Sequence, residues 1–195
     1  MRRVLGAGTC ALLCSALLGC TVTVGSVPAV PEGSPAALPG SADDGGGLAA
    51  LPAACHLQGG GALPDPACEP GATDPSVTQD NVRSTICVTG YTTQVRPPVS
   101  YTDALKRDLV ARYGLSGPLS GYELDHLVPL EVGGAPRSVR NLWPQSRAQH
   151  PGADEKDHLE NLLHSQVCSG RLALADAQRM FEQNWVQAWQ QLGRP

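Results

Sequence analysis

Residues 122–134 of the chain read YELDHLVPLEVGG, and residues 141–144 read NLWP. The run 122–132 predicts a strand, and the pair Gly133 and Gly134 predicts the turn that ends it. Pro129 has no backbone N–H to donate to a sheet ladder. Its position inside the run therefore favours a bent hairpin or an edge strand over a central strand.

Asp125 and His126 are followed by further polar residues at intervals that suggest a reactive site. Asn141 lies fifteen residues after His126, and His150 lies nine residues after Asn141. A neutral histidine can activate water near neutral pH, and a carboxylate is a hard oxygen ligand for a divalent ion. Adjacent strand residues point to opposite faces, so Asp125 and His126 can share a site only if the strand ends or kinks there. The pattern indicates metal-assisted phosphodiester hydrolysis.

Together, YELDHLVPLEVGG and NLWP resemble the HNH endonuclease motif of the ββα-metal nucleases. The chain is also similar to bacterial exported proteins of the HNH type in its segments TICVTGY (85–91), VRPP (95–98), KDHLE (156–160) and VCSG (167–170). The resemblance implies an α+β fold with a small ββα-metal core flanked by helices. The zinc-knuckle cysteines of many HNH proteins are absent around the motif, so flanking helices and disulfides are expected to support the core.

The resemblance also implies a role for each residue of the motif. Asp125 is expected to be a metal ligand, His126 the general base, and Asn141 the residue that braces the loop and orients the histidine. His150 is the expected further metal ligand, and Lys156 is expected to contact phosphate. The alternatives to His150 are Asp154, Asp157 and His158. Mg²⁺ is the expected ion, with Mn²⁺ or Zn²⁺ as alternatives.

The N-terminal segment, residues 1–19, has the layout of a signal peptide, with a basic start and an apolar core. It ends in LLGC (17–20), which resembles the lipobox of bacterial lipoproteins and implies that Cys20 is acylated. Residues 20–54 are rich in Gly, Pro and Ala, and we expect a disordered tether there. The chain is therefore expected to be exported and lipid-anchored outside the cytoplasmic membrane, or secreted if the lipobox is not used.

Four cysteines remain in the expected mature chain after Cys20, and an even number in an exported protein points to disulfides. Three pairings are possible. We favour Cys55–Cys68 as a local loop and Cys87–Cys168 as a long-range link, with Cys68–Cys87 as the next pairing to consider. A zinc site formed by these cysteines is the alternative, but the sequence has no CxxC pair to favour it.

The rest of the chain is divided between a strap and a helical domain. Residues 55–100 are predicted to form an extended segment, called the strap, which is Pro-rich at 63–71, and short strands at 81–95. Residues 101–195 predict the HNH-like domain, with a helix that opens at Ser100 and later helices at 154–168 and 174–192. The inward face of the last helix is expected to contain Leu174, Ala177, Phe181, Trp185, Ala188 and Leu192.

The charge balance limits the functions that are open to the chain. Residues 81–195 contain 12 basic and 11 acidic side chains, unlike the strongly basic domains of tight nucleic-acid binders. Arg137, Arg140 and Arg147 either contact phosphate or belong to a solvated loop. The predicted function is a monomeric, divalent-metal-dependent endonuclease that acts on DNA, or on RNA, outside the cytoplasm. The alternative is a non-catalytic cell-surface binding module that retains the ββα fold.

Overall fold

The computed structural model describes residues 47–193. The predicted signal peptide, the predicted lipidation site Cys20 and most of the predicted tether lie outside the described residues. No helix within residues 47–193 combines the length and the apolarity that are needed to cross a membrane.

The fold is α+β, as the sequence predicts, with helices around a single hairpin in the described part of the chain. The helices are α1 (Tyr91–Val95), α2 (Val99–Arg112), α3 (Ala153–Cys168) and α4 (Leu174–Ala188). The strands are β1 (Tyr122–His126) and β2 (Leu142–Ser146). Short 3-10 turns occur at Gly47–Ala50, Gly59–Gly61, Gln79–Ser84, Leu119–Gly121 and Leu130–Val132, and a π-helical turn at Trp189–Gly193 follows α4.

The hairpin is antiparallel, and its register pairs Tyr122 with Ser146 and His126 with Leu142. The predicted strand therefore ends at His126, six residues earlier than expected, because Pro129 begins a 3-10 turn. The backbone of the connecting loop packs closely against itself at Gly134. An added Cβ at this position would lie 1.8 Å from the carbonyl oxygen of Val128. A side chain at position 134 would block this loop conformation.

The two faces of the hairpin pack against different helices. Leu124 and Leu142 belong to a cluster with Leu105 and Leu109 of α2. Trp143, which is fully buried, belongs to the larger cluster formed with α3 and α4. Residues 125 and 143 are register partners and lie on the same face, so Asp125 faces α3 while its neighbour His126 faces α2.

The strands predicted for residues 81–95 are wrong, because this segment forms a 3-10 turn and the short helix α1. The Asn81 side chain accepts a hydrogen bond from the Thr78 amide at 2.8 Å, and the Asn81 carbonyl accepts one from the Thr85 hydroxyl at 2.8 Å. Gly90 then adopts a φ of +84° immediately before α1. Local side-chain-to-backbone bonds and a left-handed glycine thus replace strand pairing.

The helices differ from the predicted ones mainly at their ends. The first long helix begins at Val99 after Pro98, one residue earlier than predicted, and α3 begins at Ala153. The predicted last helix loses regular geometry at Asn184, whose φ is −172°, and becomes π-helical after Ala188. The helical periodicity changes there, and Leu192 is 43% exposed where an inward position was expected. The other five residues of that predicted face are buried.

Both favoured disulfide pairings are present. Cys55–Cys68 closes a loop within the strap, and Cys87–Cys168 joins the segment before α1 to the end of α3. Disulfides form and persist in oxidising compartments, so the two bonds indicate an extracytoplasmic location.

We expect the two disulfides to contribute unequally to stability, since their loops span 81 and 13 residues. In the chain-entropy model, removing Cys87–Cys168 by a double Cys→Ser substitution lowers the free energy of unfolding by about 4 kcal/mol. The matched double substitution at Cys55 and Cys68 lowers it by about 3 kcal/mol. Urea unfolding of both variants measures the difference, and a larger loss for the short loop would contradict this order.

Candidate active site

His126 is held in one tautomer at the end of β1. Its side chain is buried, and Nε2 lies 2.9 Å from the carbonyl oxygen of Pro136. A carbonyl oxygen only accepts hydrogen bonds, so Nε2 bears the hydrogen and Nδ1 of the neutral ring has the lone pair. Burial lowers the pKa of His126 to about 4, against the opposing effects of the Pro136 hydrogen bond and Asp125. The ring is therefore neutral at pH 7, with its lone pair on Nδ1.

Asn141 braces the loop that supplies this carbonyl oxygen. Its side chain is fully buried, and Oδ1 accepts hydrogen bonds from the amides of Val128 at 2.9 Å and Ala72 at 3.3 Å. Its Nδ2 donates to the carbonyl oxygens of Val128 at 3.0 Å and Ala135 at 3.2 Å. Ala135 directly precedes Pro136, so these bonds fix the loop at the point where it holds His126.

His126 lines a surface pocket of about 210 Å³ between the hairpin and α2. Three cationic side chains also line this pocket: Arg96, Lys106 and Arg147. Two acidic side chains, Asp103 and Glu123, also line the pocket, and Glu123 forms a 2.9 Å ion pair with Arg147. The pocket thus combines a neutral base with a small excess of positive charge, which suits a phosphate group.

Sequence reasoning missed Arg96 and Lys106, because they lie far from His126 along the chain. Arg96 follows α1, and Lys106 lies within α2. The VRPP segment belongs to the family resemblance, but nothing in its local pattern places Arg96 beside His126. Of the three arginines considered from sequence, Arg147 lines the pocket, whereas Arg137 lies over the ring of Tyr101 at 5.4 Å.

Asp125 meets Lys156 of α3 on the opposite face of β1. Lys156 is fully buried, and its Nζ lies 2.8 Å from Asp125 Oδ2 and 2.5 Å from Glu160 Oε1. The same ammonium donates to the carbonyl oxygen of His126 at 2.8 Å. Burial alone would lower the pKa of Lys156, but the carboxylates of Asp125 and Glu160 raise it above its usual value. Lys156 is therefore a buried cation, and in this arrangement it is not exposed to a substrate phosphate.

The other predicted ligands lie apart from the buried ion pair. His150 precedes α3, its side chain is 76% exposed, and Nδ1 lies 3.2 Å from Glu155 Oε1. His158 is exposed and packs edge-on against Trp189, with ring centroids 5.3 Å apart. Asp154 and Asp157 are exposed on the first turns of α3.

The predicted metal ligands do not form a coordination group as they are placed. Within residues 47–193, two groups of three His, Cys, Asp or Glu side chains have ligand atoms within 4.8 Å of one another. They are Cys55, Cys68 and Glu69, and Cys87, His164 and Cys168. Both contain a disulfide, which leaves no thiolate to bind a metal. Neither includes Asp125 or His150, and the carboxylate of Asp125 is already paired with Lys156. The residues therefore do not fit the divalent ion that the resemblance implies.

No protein-family model, curated protein or solved structure matches this chain.

We expect His126 to make stability pH-dependent. Its pKa falls from 6.5 to about 4 on folding, so the unfolded chain binds this proton first as the pH is lowered. Stability from the neutral ring is complete above pH 6.5 and is lost progressively towards pH 4. Relative to His126→Gln, which cannot titrate, the wild type should lose roughly 3 kcal/mol between pH 7 and pH 4. Urea unfolding across this range tests the difference, and parallel curves for the two proteins would contradict it.

Proposed function

We propose that the chain is an exported endonuclease of the HNH type, which hydrolyses phosphodiester bonds of DNA, with RNA as the alternative substrate. The hairpin β1–β2 followed by α3 would be its ββα core. The order of these elements supports this assignment, as does the position of His126 at the end of the first strand and of Asn141 at the start of the second.

One observation supports hydrolysis above the others: the buried, neutral ring of His126 lines a pocket that also contains Arg96, Lys106 and Arg147. In the proposed reaction, Nδ1 removes a proton from the attacking water as its oxygen bonds to phosphorus. The bond to the leaving oxygen then breaks, and a proton from solvent neutralises that oxygen. The cationic side chains hold the phosphate and offset its charge.

The role of Asn141 in this proposal is positional. Its four hydrogen bonds hold the loop of residues 128–136, and this loop presents the Pro136 carbonyl to Nε2 of His126. That contact keeps Nδ1 unprotonated and fixes the ring plane. Since the residues around Asp125 do not fit a divalent ion, the proposed reaction uses none.

The proposed enzyme would act outside the cytoplasm. The two disulfides support this location. The LLGC sequence supports acylation of Cys20, which would anchor a monomeric enzyme to the membrane through the tether.

We expect His126→Ala to reduce cleavage by the oxidised full chain at least about 100-fold, because the general base is lost. The measurement is the nicking rate of supercoiled plasmid, with single-stranded DNA and RNA oligonucleotides as further substrates. Each is assayed with Mg²⁺, Mn²⁺ or Zn²⁺ and with EDTA. His126→Gln keeps a donor for the Pro136 carbonyl but has no basic nitrogen, and it should be equally impaired.

The matched control is His56→Ala. The side chain of His56 is exposed in the strap, and its backbone amide rather than its ring bonds Asp65. Equal cleavage by wild type and His126→Ala would refute the proposed mechanism. A folded wild type that cuts none of the substrates would favour the alternative, a non-catalytic surface module.

We expect the double variant Arg96→Gln and Lys106→Gln to raise KM for an oligonucleotide about tenfold with a smaller change in kcat, since each cation contacts phosphate. The salt dependence of KM should also weaken. Arg107→Gln is the matched control, because Arg107 is exposed on α2 beside Lys106 but does not line the pocket. An equal effect of the double variant and the control would contradict a specific phosphate site.

A further inference from the structure

We propose that the ammonium of Lys156 occupies the cation position between β1 and α3, so that the chain binds no divalent ion at Asp125. A second part rests on the proposed function: cleavage through His126 does not require such an ion.

The surroundings of Nζ are those of an oxygen-ligated cation. Asp125 Oδ2, Glu160 Oε1 and the His126 carbonyl oxygen lie 2.8, 2.5 and 2.8 Å from it. Two carboxylates and a main-chain carbonyl are typical ligands of Mg²⁺ and Ca²⁺. The ring of Phe181 lies 5.3 Å from Nζ and adds a cation–π contact. An ammonium has three hydrogens, and three oxygens are within hydrogen-bonding or ion-pairing distance of them.

The charge balance opposes replacement of the ammonium by an ion. Lys156 is fully buried on α3, and its side chain reaches the hairpin from within the interior. A divalent ion that took Asp125 and Glu160 would leave the ammonium buried without the two side chains that hold it. Breaking a buried ion pair in this way is strongly unfavourable. Burial raises the pKa of Glu160, and the charges of Asp125 and Glu131 add to this while Lys156 opposes it. Neither Glu131 nor Asp157 contacts Nζ.

Lys156 is accordingly a positioning residue for His126. Its bond to the His126 carbonyl fixes the end of β1 on the face opposite the imidazole ring. A metal ligated by Asp125 would fix the same strand end, and the ammonium does so without one. Lys156 therefore acts on the base through the backbone and does not touch the proposed substrate site.

The test is titration of the full chain with MnCl₂ and with CaCl₂. Calorimetry measures the binding heat, and thermal unfolding in the presence of each ion measures the shift in Tm. We expect no binding heat and no shift in Tm for the wild type. Lys156→Ser removes the ammonium and leaves its three oxygens around an open space, so it should gain one ion per chain and a higher Tm in Mn²⁺. Lys156→Met fills the space without a charge and should bind no ion.

Asp125→Asn is the second variant, and it keeps the result decisive if Lys156→Ser does not fold. One Mn²⁺ bound per wild-type chain, and lost in Asp125→Asn, would overturn the proposal.

Cleavage that proceeds at the same rate in EDTA and in Mg²⁺ would support its second part. Cleavage that is abolished by EDTA would overturn the claim that no divalent ion is required, but it would still support the endonuclease function. If no substrate is cut, the endonuclease function fails, while the binding titrations still decide the cation position.

Discussion

The buried ion pair between Lys156 and Asp125 sets how the hairpin and α3 meet, and the rest of the site depends on it. Lys156 brings a charge into the interior, which is costly unless every hydrogen of the ammonium finds an acceptor. Glu160 and the His126 carbonyl accept hydrogen bonds from it, and Asp125 pairs with its charge at 2.8 Å. Because the carbonyl belongs to the residue after Asp125, the lysine fixes the strand end as well as the carboxylate. Such a pair adds little net stability, but removing one partner would leave the other charge buried and unpaired.

Asn141 provides hydrogen-bond partners for the backbone of a buried loop. Residues 127–136 between the strands are largely buried, and their polar backbone groups need partners away from water. The carboxamide of Asn141 satisfies Val128 twice and also bonds Ala72 and Ala135, so one side chain joins the loop to the strap. Gly134 allows the same loop to close against the Val128 carbonyl. The position of Pro136 relative to His126 therefore follows from buried polar groups that must be satisfied.

The sequence predicted the parts of this arrangement that depend on local patterns. Apolar spacing located α3 and most of α4, and the number of cysteines indicated two disulfides. Local patterns in the sequence did not predict the contacts between residues that are distant along the chain. The helical pattern predicts an exposed Lys156, and nothing local to it indicates the ion pair with Asp125, thirty-one positions earlier. Residues 81–95 have strand-like composition, but the hydrogen bonds of Asn81 and the φ of Gly90 favour turns.

The pleat of β1 separates two side chains that the sequence motif places next to each other. Asp125 and His126 are neighbours in the chain, yet one carboxylate is neutralised inside the molecule while the imidazole faces the α2 pocket. A substrate phosphate that reaches His126 would thus meet cations from the α1–α2 connection and from α2, which lie outside the motif. Arg96 and Lys106 come to the pocket only because Leu105 and Leu109 pack α2 against the hairpin. The proposed reactive unit is therefore larger than the hairpin and α3, because α2, which precedes both strands, brings Arg96 and Lys106 to the pocket that His126 lines.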